Sequence, residues 1–209
     1  MTTTATIQTA GPAHLHQVAE ILAAASHAGD LADWLVPHHA TRARIFPRYF
    51  EILAEHALTH GHVHVVDDVG VAVWYALDAY QYVDIADLDR RLAQAVGDHL
   101  PHFVALDLAV QAYQPDSRAH HYLAALAVRP GQQGHGTGSL LLHHHLKELD
   151  DTRVPSCLVA TGARSVTLFR RHGYTKRPPY PLASVAAPLL FPMWRDARSA
   201  HDPPSKGPT

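Results

Sequence analysis

The stretch VRPGQQGHGTGSLL, residues 128–141, carries glycines at 131, 134, 136 and 138 and stands between an apolar run and leucines at helical spacing. Gly136 and Gly138 have no β-carbon, so the backbone there can turn tightly. That brings the amides of Gln133, Gly134, His135, Gly136, Thr137, Gly138 and Ser139 against a charged ligand. A helix starting here leaves its first N–H groups unpaired and presents the positive end of its dipole, so a phosphate ester fits without a lysine. Strand, glycine loop and helix in this order predict a pyrophosphate site, with a bare glycine-rich turn as the competing reading. Two other phosphate loops fail on their residues. A Walker loop ends in Gly-Lys-Ser/Thr where this chain has Gly138-Ser139-Leu140, and G-x-G-x-x-G laid on Gly134 and Gly136 meets Ser139 at its third glycine. No acidic residue ends the next strand, about 20 residues on, to hold a ribose.

The other reactive side chains offer less. The 19 histidines titrate near neutrality, so mild acid moves the formal charge of −2 toward positive. His143, His144 and His145 are consecutive on a predicted helix, fan around it rather than converging on one ion, and read as a solvated face. His62 and His64 alternate on a predicted strand and share one side. A chance divalent ion fits there, but ordinary strand histidines explain the pair more simply, and no metal is assigned. Cys157 is the single cysteine, which excludes an internal disulfide; it reads as a small buried residue, not a nucleophile.

Bulk properties exclude whole classes. With 47% hydrophobic and 17% charged residues the chain suits a compact fold, and it has no basic surplus for a nucleic-acid partner. No apolar run approaches the roughly 20 residues that span a bilayer, so no membrane role is expected. The first residues lack a secretory pattern, and a cytoplasmic location is expected.

The elements that must position the loop follow from periodicity. A first strand is predicted within residues 5–9. A helix then opens at Gly11-Pro12 with Leu15, Val18, Ile21 and Leu22 on one stripe. Residues 41–60 read as a second helix that Pro47 divides or kinks. Residues 62–66 and 71–77 form a hairpin about Asp67-Asp68-Val69-Gly70. Helical spacing returns over 85–96 and 103–113, with Pro101 and Pro115 as punctuation. YLAALAV, 122–128, is apolar at both parities and predicts a central strand covered on both faces. A helix bearing Leu141, Leu142, Leu146 and Leu149 follows. After it come a buried strand at 157–160, a short helix at 163–172 ended by Gly173 in a left-handed cap, and a last strand at 189–194. The order indicates one α/β or α+β domain over residues 1–195, followed by a loose Pro-, Ser- and Gly-rich tail at 196–209.

These residues resemble the GNAT superfamily of acyl-CoA-dependent N-acyltransferases. The family's Q/R-x-x-G-x-G/A signature, after a strand and before a helix, is matched by Gln133-Gly134-His135-Gly136-Thr137-Gly138. Leu126-Ala127-Val128-Arg129-Pro130 is similar to the family's strand end, and ARSVTLFRRHGY, 163–174, to its late helix closing on Gly-Phe or Gly-Tyr. The layout, including Val71-Ala72-Val73-Trp74, is most similar to puromycin N-acetyltransferase-like members. The specific match covers 122–174, about a quarter of the chain. The resemblance implies a central mixed, splayed sheet flanked by helices, with acetyl-CoA as co-substrate. It implies that the backbone of Leu126, Ala127 and Val128 pairs with the pantetheine amides while the 133–139 amides hold the pyrophosphate. Ser165 matches a polar cofactor contact that is usually Asn. Phe169, taken with the cofactor contacts, stands where the family often has a tyrosine that protonates the leaving thiolate. Val159 stands where puromycin-type relatives have a glutamate.

The function expected is transfer of an acetyl group from acetyl-CoA to an amine of a small molecule by direct attack, with an antibiotic or other natural product among the candidate acceptors. The acceptor is expected to be framed by residues 30–39 and 80–113, and an N–H near Val128 to polarise the carbonyl. With Phe169 and Val159 aprotic, proton transfer is sought on the central strand. His120 and Tyr122 share parity with Ala124, Leu126 and Val128, which predicts one common face toward the splay, and Tyr122 matches a position where some family members place a base. The competing reading is structural, with His120 ending an exposed strand and Tyr122 in the core. Two alternatives of other classes stand beside the enzyme: a catalytically weak acyl-CoA-binding regulator and a His-rich metal-binding module. Composition fixes no oligomeric state.

Overall fold

The computed structural model describes residues 6–113, 118–182 and 187–198. Its elements are β1 (Ile7–Thr9), α1 (Leu15–Ala25), α2 (Asp30–Leu35), α3 (His39–His60), β2 (His62–Val66), β3 (Gly70–Leu77), α4 (Leu88–Val96), α5 (Leu100–Ala112), β4 (His120–Val128), α6 (Thr137–Thr152), β5 (Ser156–Ala160), α7 (Ala163–Arg171), β6 (Thr175–Lys176), β7 (Tyr180–Pro181) and β8 (Leu189–Arg195). The strands form one sheet ordered β1-β2-β3-β4-β5-β8-β6, with β7 pairing β8 off this path. All pairings are antiparallel except that of β4 with β5. This is a single α/β domain with an open mixed sheet of eight strands flanked by helices, the architecture that the resemblance implies.

Helices cover both faces, which is why β3 and β4 carry apolar residues at both parities. On one face Val18, Ile21 and Leu22 of α1 and Ala54 and Ala57 of α3 pack on Val71, Val73 and Tyr75 of β3. On the other, Leu141, Leu142, Leu146 and Leu149 of α6 pack on Ala72, Trp74 and Leu123. Burying each of these leucines contributes about 1.5–3 kcal/mol, so α6, and with it the loop at its start, is firmly seated. α3 runs unbroken through Pro47. The proline and Ala43, whose carbonyl loses its helical partner, both face solvent, where water can satisfy that carbonyl. Pro101, read as punctuation, lies in the first turn of α5, where a missing N–H costs nothing.

Three short elements carry no periodicity and were not anticipated: α2, β6 and β7. α2 is held by Arg42, buried within α3, which donates to the carbonyls of Val36, His27 and Pro37 and pairs with Asp33. The predicted tail begins in an ordered state. The Arg198 amide donates to Asp150 at 2.7 Å, Asp196 accepts from Trp194 Nε1 at 3.0 Å, and residues 199–209 lie outside the described residues. No helix among the described residues is long and apolar enough to cross a membrane.

The histidine run on α6 departs from expectation. His143 and His144 are exposed, but His145 is buried and stacks on Trp74 with ring centroids 4.4 Å apart. Its two nitrogens join His64 Nε2 at 3.0 Å and His121 Nδ1 at 2.9 Å. A helix of 3.6 residues per turn points one of three consecutive residues inward, and the leucine stripe selects His145. His62 stacks on His121 at 5.5 Å, so the shared side predicted for His62 and His64 is the side of this chain of rings. Its nitrogens bond one another instead of converging, and no group of three or more His, Cys, Asp or Glu among the described residues can hold a metal ion.

Burial first, then neighbouring histidines, lowers the pKa of His64 and His121 to about 4 and of His145 to about 2. The unfolded chain protonates near the usual value of about 6.5, so between that pH and about 4 the unfolded state holds more protons than the folded one. Stability is therefore full above about pH 6.5 and falls on acidification, by roughly 1.4 kcal/mol per pH unit for each histidine kept neutral. Melting temperatures measured from pH 7.5 to 5 should drop steeply, and His145→Leu should flatten the slope by about one proton; a flat wild-type profile would contradict this account.

Candidate active site

The site is made by a parting of strands. β4 and β5 pair only at His121 with Ser156, Tyr122 with Cys157 and Leu123 with Leu158. β5 continues to Ala160 along β8, whereas β4 continues to Val128 along β3. The β3–β4 register explains why they separate there. Val73 faces Ala125 but Trp74 faces Leu123, leaving Ala124 as an extra residue in β4. Such a bulge bends the strand and increases its twist, and this one follows directly on the last residue paired to β5. Beyond it, the β4 edge toward β5 has no strand partner among the described residues.

The bulge corrects the predicted face. Up to Leu123, His120 and Tyr122 lie opposite Leu77 and Tyr75; after the bulge those positions continue as Ala125 and Ala127, opposite Val73 and Val71. Tyr122 and Ala127 accordingly share a core cluster, while Leu126 packs with Leu123 on the α6 side. Alternation was assumed over a strand that breaks it once.

A cavity of about 420 Å³ opens where the strands part. Tyr122, Leu123, Ala124, Ala125, Leu126 and Ala127 form one wall, and Leu158, Val159, Ala160, Ser165 and Phe169 another. Of the predicted residues, the structure thus brings together Tyr122, Leu126, Ala127, Ser165 and Phe169. The Ser165 hydroxyl donates to the Gly162 carbonyl at 3.0 Å within the first turn of α7, and Phe169 lies edge-on to Tyr174 with centroids 5.8 Å apart. His120 is not among the lining residues. It is buried against Trp194 at 5.8 Å, with Nδ1 2.8 Å from the Arg118 carbonyl and Nε2 without a partner among the described residues. Burial lowers its pKa, opposed by that carbonyl contact. An exposed strand end, the structural reading of His120, is therefore also incorrect.

The loop at residues 129–136 leads from β4 to α6 around this opening. Gly131, Gly134 and Gly136 have φ of 81°, 87° and 90°, a region open to glycine and strained for other residues, and Gly136 caps α6. Gly138, expected to share that role, sits in the first turn of α6, and a β-carbon there would meet Leu168, Leu126 and Val128 only at 3.5–3.9 Å. No side chain caps α6, so the first-turn amides of Thr137, Gly138 and Ser139 stand without intrahelical partners. The Gln133 side chain locks the loop, donating to the Val128 carbonyl at 3.0 Å and accepting from Arg164 at 3.2 Å. His135 Nδ1 lies 3.3 Å from the Gln132 carbonyl. The open β4 edge, the uncapped helix start and the adjoining cavity together offer free backbone groups, amides at the positive end of a helix and an enclosed space.

Three residues at the site escaped the sequence reading. Arg164 brings a cation to the loop. Asp107 and Gln111, one helical turn apart on α5, line the cavity and bond to each other at 2.8 Å. Their signal was present, since Asp107 is the only acidic residue of a mostly apolar helix, LPHFVALDLAVQA. Burial first, with Asp89 adding and Gln111 opposing, raises the Asp107 pKa. Burial first, then Cys157 and nearby tyrosines and Asp107, raises that of Tyr122, which is therefore a neutral phenol at physiological pH. Cys157 is buried and its thiol is pushed up to about 12 by burial, so it supplies no thiolate nucleophile.

Known proteins share this fold. Residues 74–174 match the model of the acetyltransferase (GNAT) family. The fold is similar to a histone acetyltransferase HPA2 and related acetyltransferase from Corynebacterium glutamicum, with 22% identity, a TM-score of 0.70, and coverage of 96% of this chain and 100% of that one. It is also similar to arylalkylamine N-acetyltransferase 2 from Aedes aegypti, with 14% identity, a TM-score of 0.60 and coverage of 94% and 100%. A third likeness is to the ribosomal-protein-S18-alanine N-acetyltransferase from Escherichia coli, with 17% identity, a TM-score of 0.54 and coverage of 95% and 97%. The matched segment spans the parted strands, the glycine loop and the late helix, and it is over this segment that the chain is similar to the GNAT family of acetyltransferases.

Proposed function

We propose that this chain acetylates an amine of a small molecule, with acetyl-CoA as donor, by direct attack within a ternary complex in the cytoplasm. The observation that carries the reading is the single cavity running from the parted strands into a chamber walled by α2, α3 and α5, so that donor and acceptor would meet at one opening. Bound acetyl-CoA supplies an activated thioester. The chain's own part is to bind and orient: the free edge of β4 through Leu126, Ala127 and Val128, the amides around Gly136, Thr137, Gly138 and Ser139, and Arg164 beside the loop. Tyr122 is assigned to the reacting end because it lines the cavity, and burial keeps its hydroxyl protonated, so that it serves as a hydrogen-bond donor to the leaving sulfur. His120, set apart behind Trp194, is given no part in proton transfer. The resemblance to puromycin N-acetyltransferase-like members favours a natural-product amine, antibiotics included, as acceptor.

A second reading rests on Phe169 and Val159, both at the cavity and both unable to carry protons: a regulator that binds acyl-CoA without turnover. Thiol release from acetyl-CoA with a panel of amines separates the two, since only the enzyme frees CoA.

Acetyl-CoA at about 100 times its Kd should add about 2.7 kcal/mol to unfolding stability and raise the Tm. Gly136→Val should abolish most of that shift, because a β-branched residue resists φ near 90° at the helix cap. No heat in calorimetry and no Tm shift with millimolar acetyl-CoA would remove the donor from the proposal. Tyr122→Phe should lower kcat by about tenfold or more while leaving acetyl-CoA affinity nearly unchanged. A Tyr122→Phe variant with full kcat and an unaltered pH profile would withdraw the role of the phenol.

A further inference from the structure

The chamber beyond the strand gap is chemically one-sided. Leu35, Phe46, Phe50, Ile85, Leu92 and Phe103 supply apolar walls, and no lysine, arginine or histidine among the described residues lines it. Its one carboxylate is Asp107. Asp107 is half-buried, accepts one hydrogen bond from Gln111 at 2.8 Å and takes part in no ion pair among the described residues. A carboxylate held against apolar walls is costly unless a cation meets it, and the described residues provide none at this cavity. Gln111, one turn along, restrains the carboxylate and leaves further lone pairs for a visitor. Tyr49, stacked edge-on to Phe103 at 4.7 Å, has its pKa raised by burial and then by the Asp107 charge, which places the phenol and the carboxylate at the same space.

We infer that the acceptor is a primary amine borne on an apolar body, aliphatic or aromatic, whose ammonium group is received by the Asp107 carboxylate. The inference rests on the acetyl-transfer reading above and names its substrate class. A polyamine would leave its second cation without a carboxylate, and an amino sugar would set several hydroxyls against walls that are mostly leucine and phenylalanine, with only a few polar groups such as Ser26 and Tyr49 to meet them. An apolar amine has one polar end, and the cavity offers one anionic partner. The ammonium leaves a proton on the Asp107 carboxylate, and the free amine needs only to move within the same cavity, which Tyr122 and residues 124–127 also line, to reach the strand gap. There the C–N bond forms as the C–S bond breaks, and the proton lost by the nitrogen balances the one taken up by the thiolate.

Kinetics with acetyl-CoA and four amines tests this: 2-phenylethylamine and n-hexylamine against spermidine and glucosamine. The apolar pair should be turned over with kcat/KM about tenfold or more above the polar pair. Asp107→Asn keeps size and an acceptor for Gln111, and it should raise KM for 2-phenylethylamine by about tenfold or more, as expected for losing a charge-assisted bond. Its acetyl-CoA affinity should be unchanged and its Tm at pH 7 no lower than wild type, because it removes a charge that burial disfavours. Preference for spermidine or glucosamine, or a wild-type KM in Asp107→Asn, would overturn the inference while leaving acetyl transfer intact. Direct calorimetry of 2-phenylethylamine with the CoA-bound protein isolates the other failure. Amine binding that Asp107→Asn weakens, without thiol release from any amine, would refute transfer and keep the pocket assignment; no amine binding would refute the pocket.

Discussion

The architecture depends on one constraint: β4 must leave β5 after Leu123 while staying paired to β3 as far as Val128. A sheet that remained zipped would have no open edge, no cavity and no route between the two faces. The extra residue at Ala124 lets the strand bend without losing its antiparallel partner, and β8 holds β5 in place on the other side of the gap. The helices then divide the work. α6 is fixed by its leucine stripe and so fixes the start that the glycine loop leads into, while α2, α3 and α5 enclose the apolar chamber.

Most of this frame was legible because it is written in short-range patterns. The stripe on α1, the apolar run of β4, the leucines of α6 and the left-handed Gly173 each express one periodicity or one backbone requirement, and each appears where the residues predict. What was not legible depends on partners distant in sequence. The bulge at Ala124 exists only relative to β3, so parity alone put Tyr122 on the wrong face with respect to Leu126. His145 turns inward because Trp74 and two strand histidines await it, and α2 exists because Arg42 gathers carbonyls from residues 27, 36 and 37. Gly138 illustrates a subtler error: four glycines in one loop look alike in sequence, yet only three of them need φ above zero.

Electrostatically the domain keeps its charges to the rims and its neutral hydrogen-bonding groups inside. The buried imidazoles are held uncharged, the cavity phenols are held protonated, and Cys157 is held as a thiol, all by the same loss of hydration. Arg42 and Arg195 are the buried arginines among the described residues, and each meets oxygen acceptors: Arg195 reaches the His172 carbonyl at 3.0 Å and Asp150 at 2.7 Å. Burial works against ionisation of Asp150, but hydrogen bonds from Arg195 and the Arg198 amide prevail and lower its pKa. Asp107 stands outside this scheme, a carboxylate in apolar surroundings without a resident counter-ion.

The bulge also gives β4 something like a reading frame. Because sidedness alternates residue by residue, the unpaired Ala124 acts as a single phase shift between the half of the strand that carries Tyr122 and the half that leads into the glycine loop. Removing that one residue would rejoin the two halves as a regular strand in which Leu123 and Ala125 still oppose Trp74 and Val73, so every face would be kept and the bend that opens the gap would be lost. Losses or gains of single residues in this strand are therefore of a different kind from substitutions in it. A change of identity at Ala124, which is exposed to the cavity, alters only its lining, whereas its loss would straighten the strand with every face preserved.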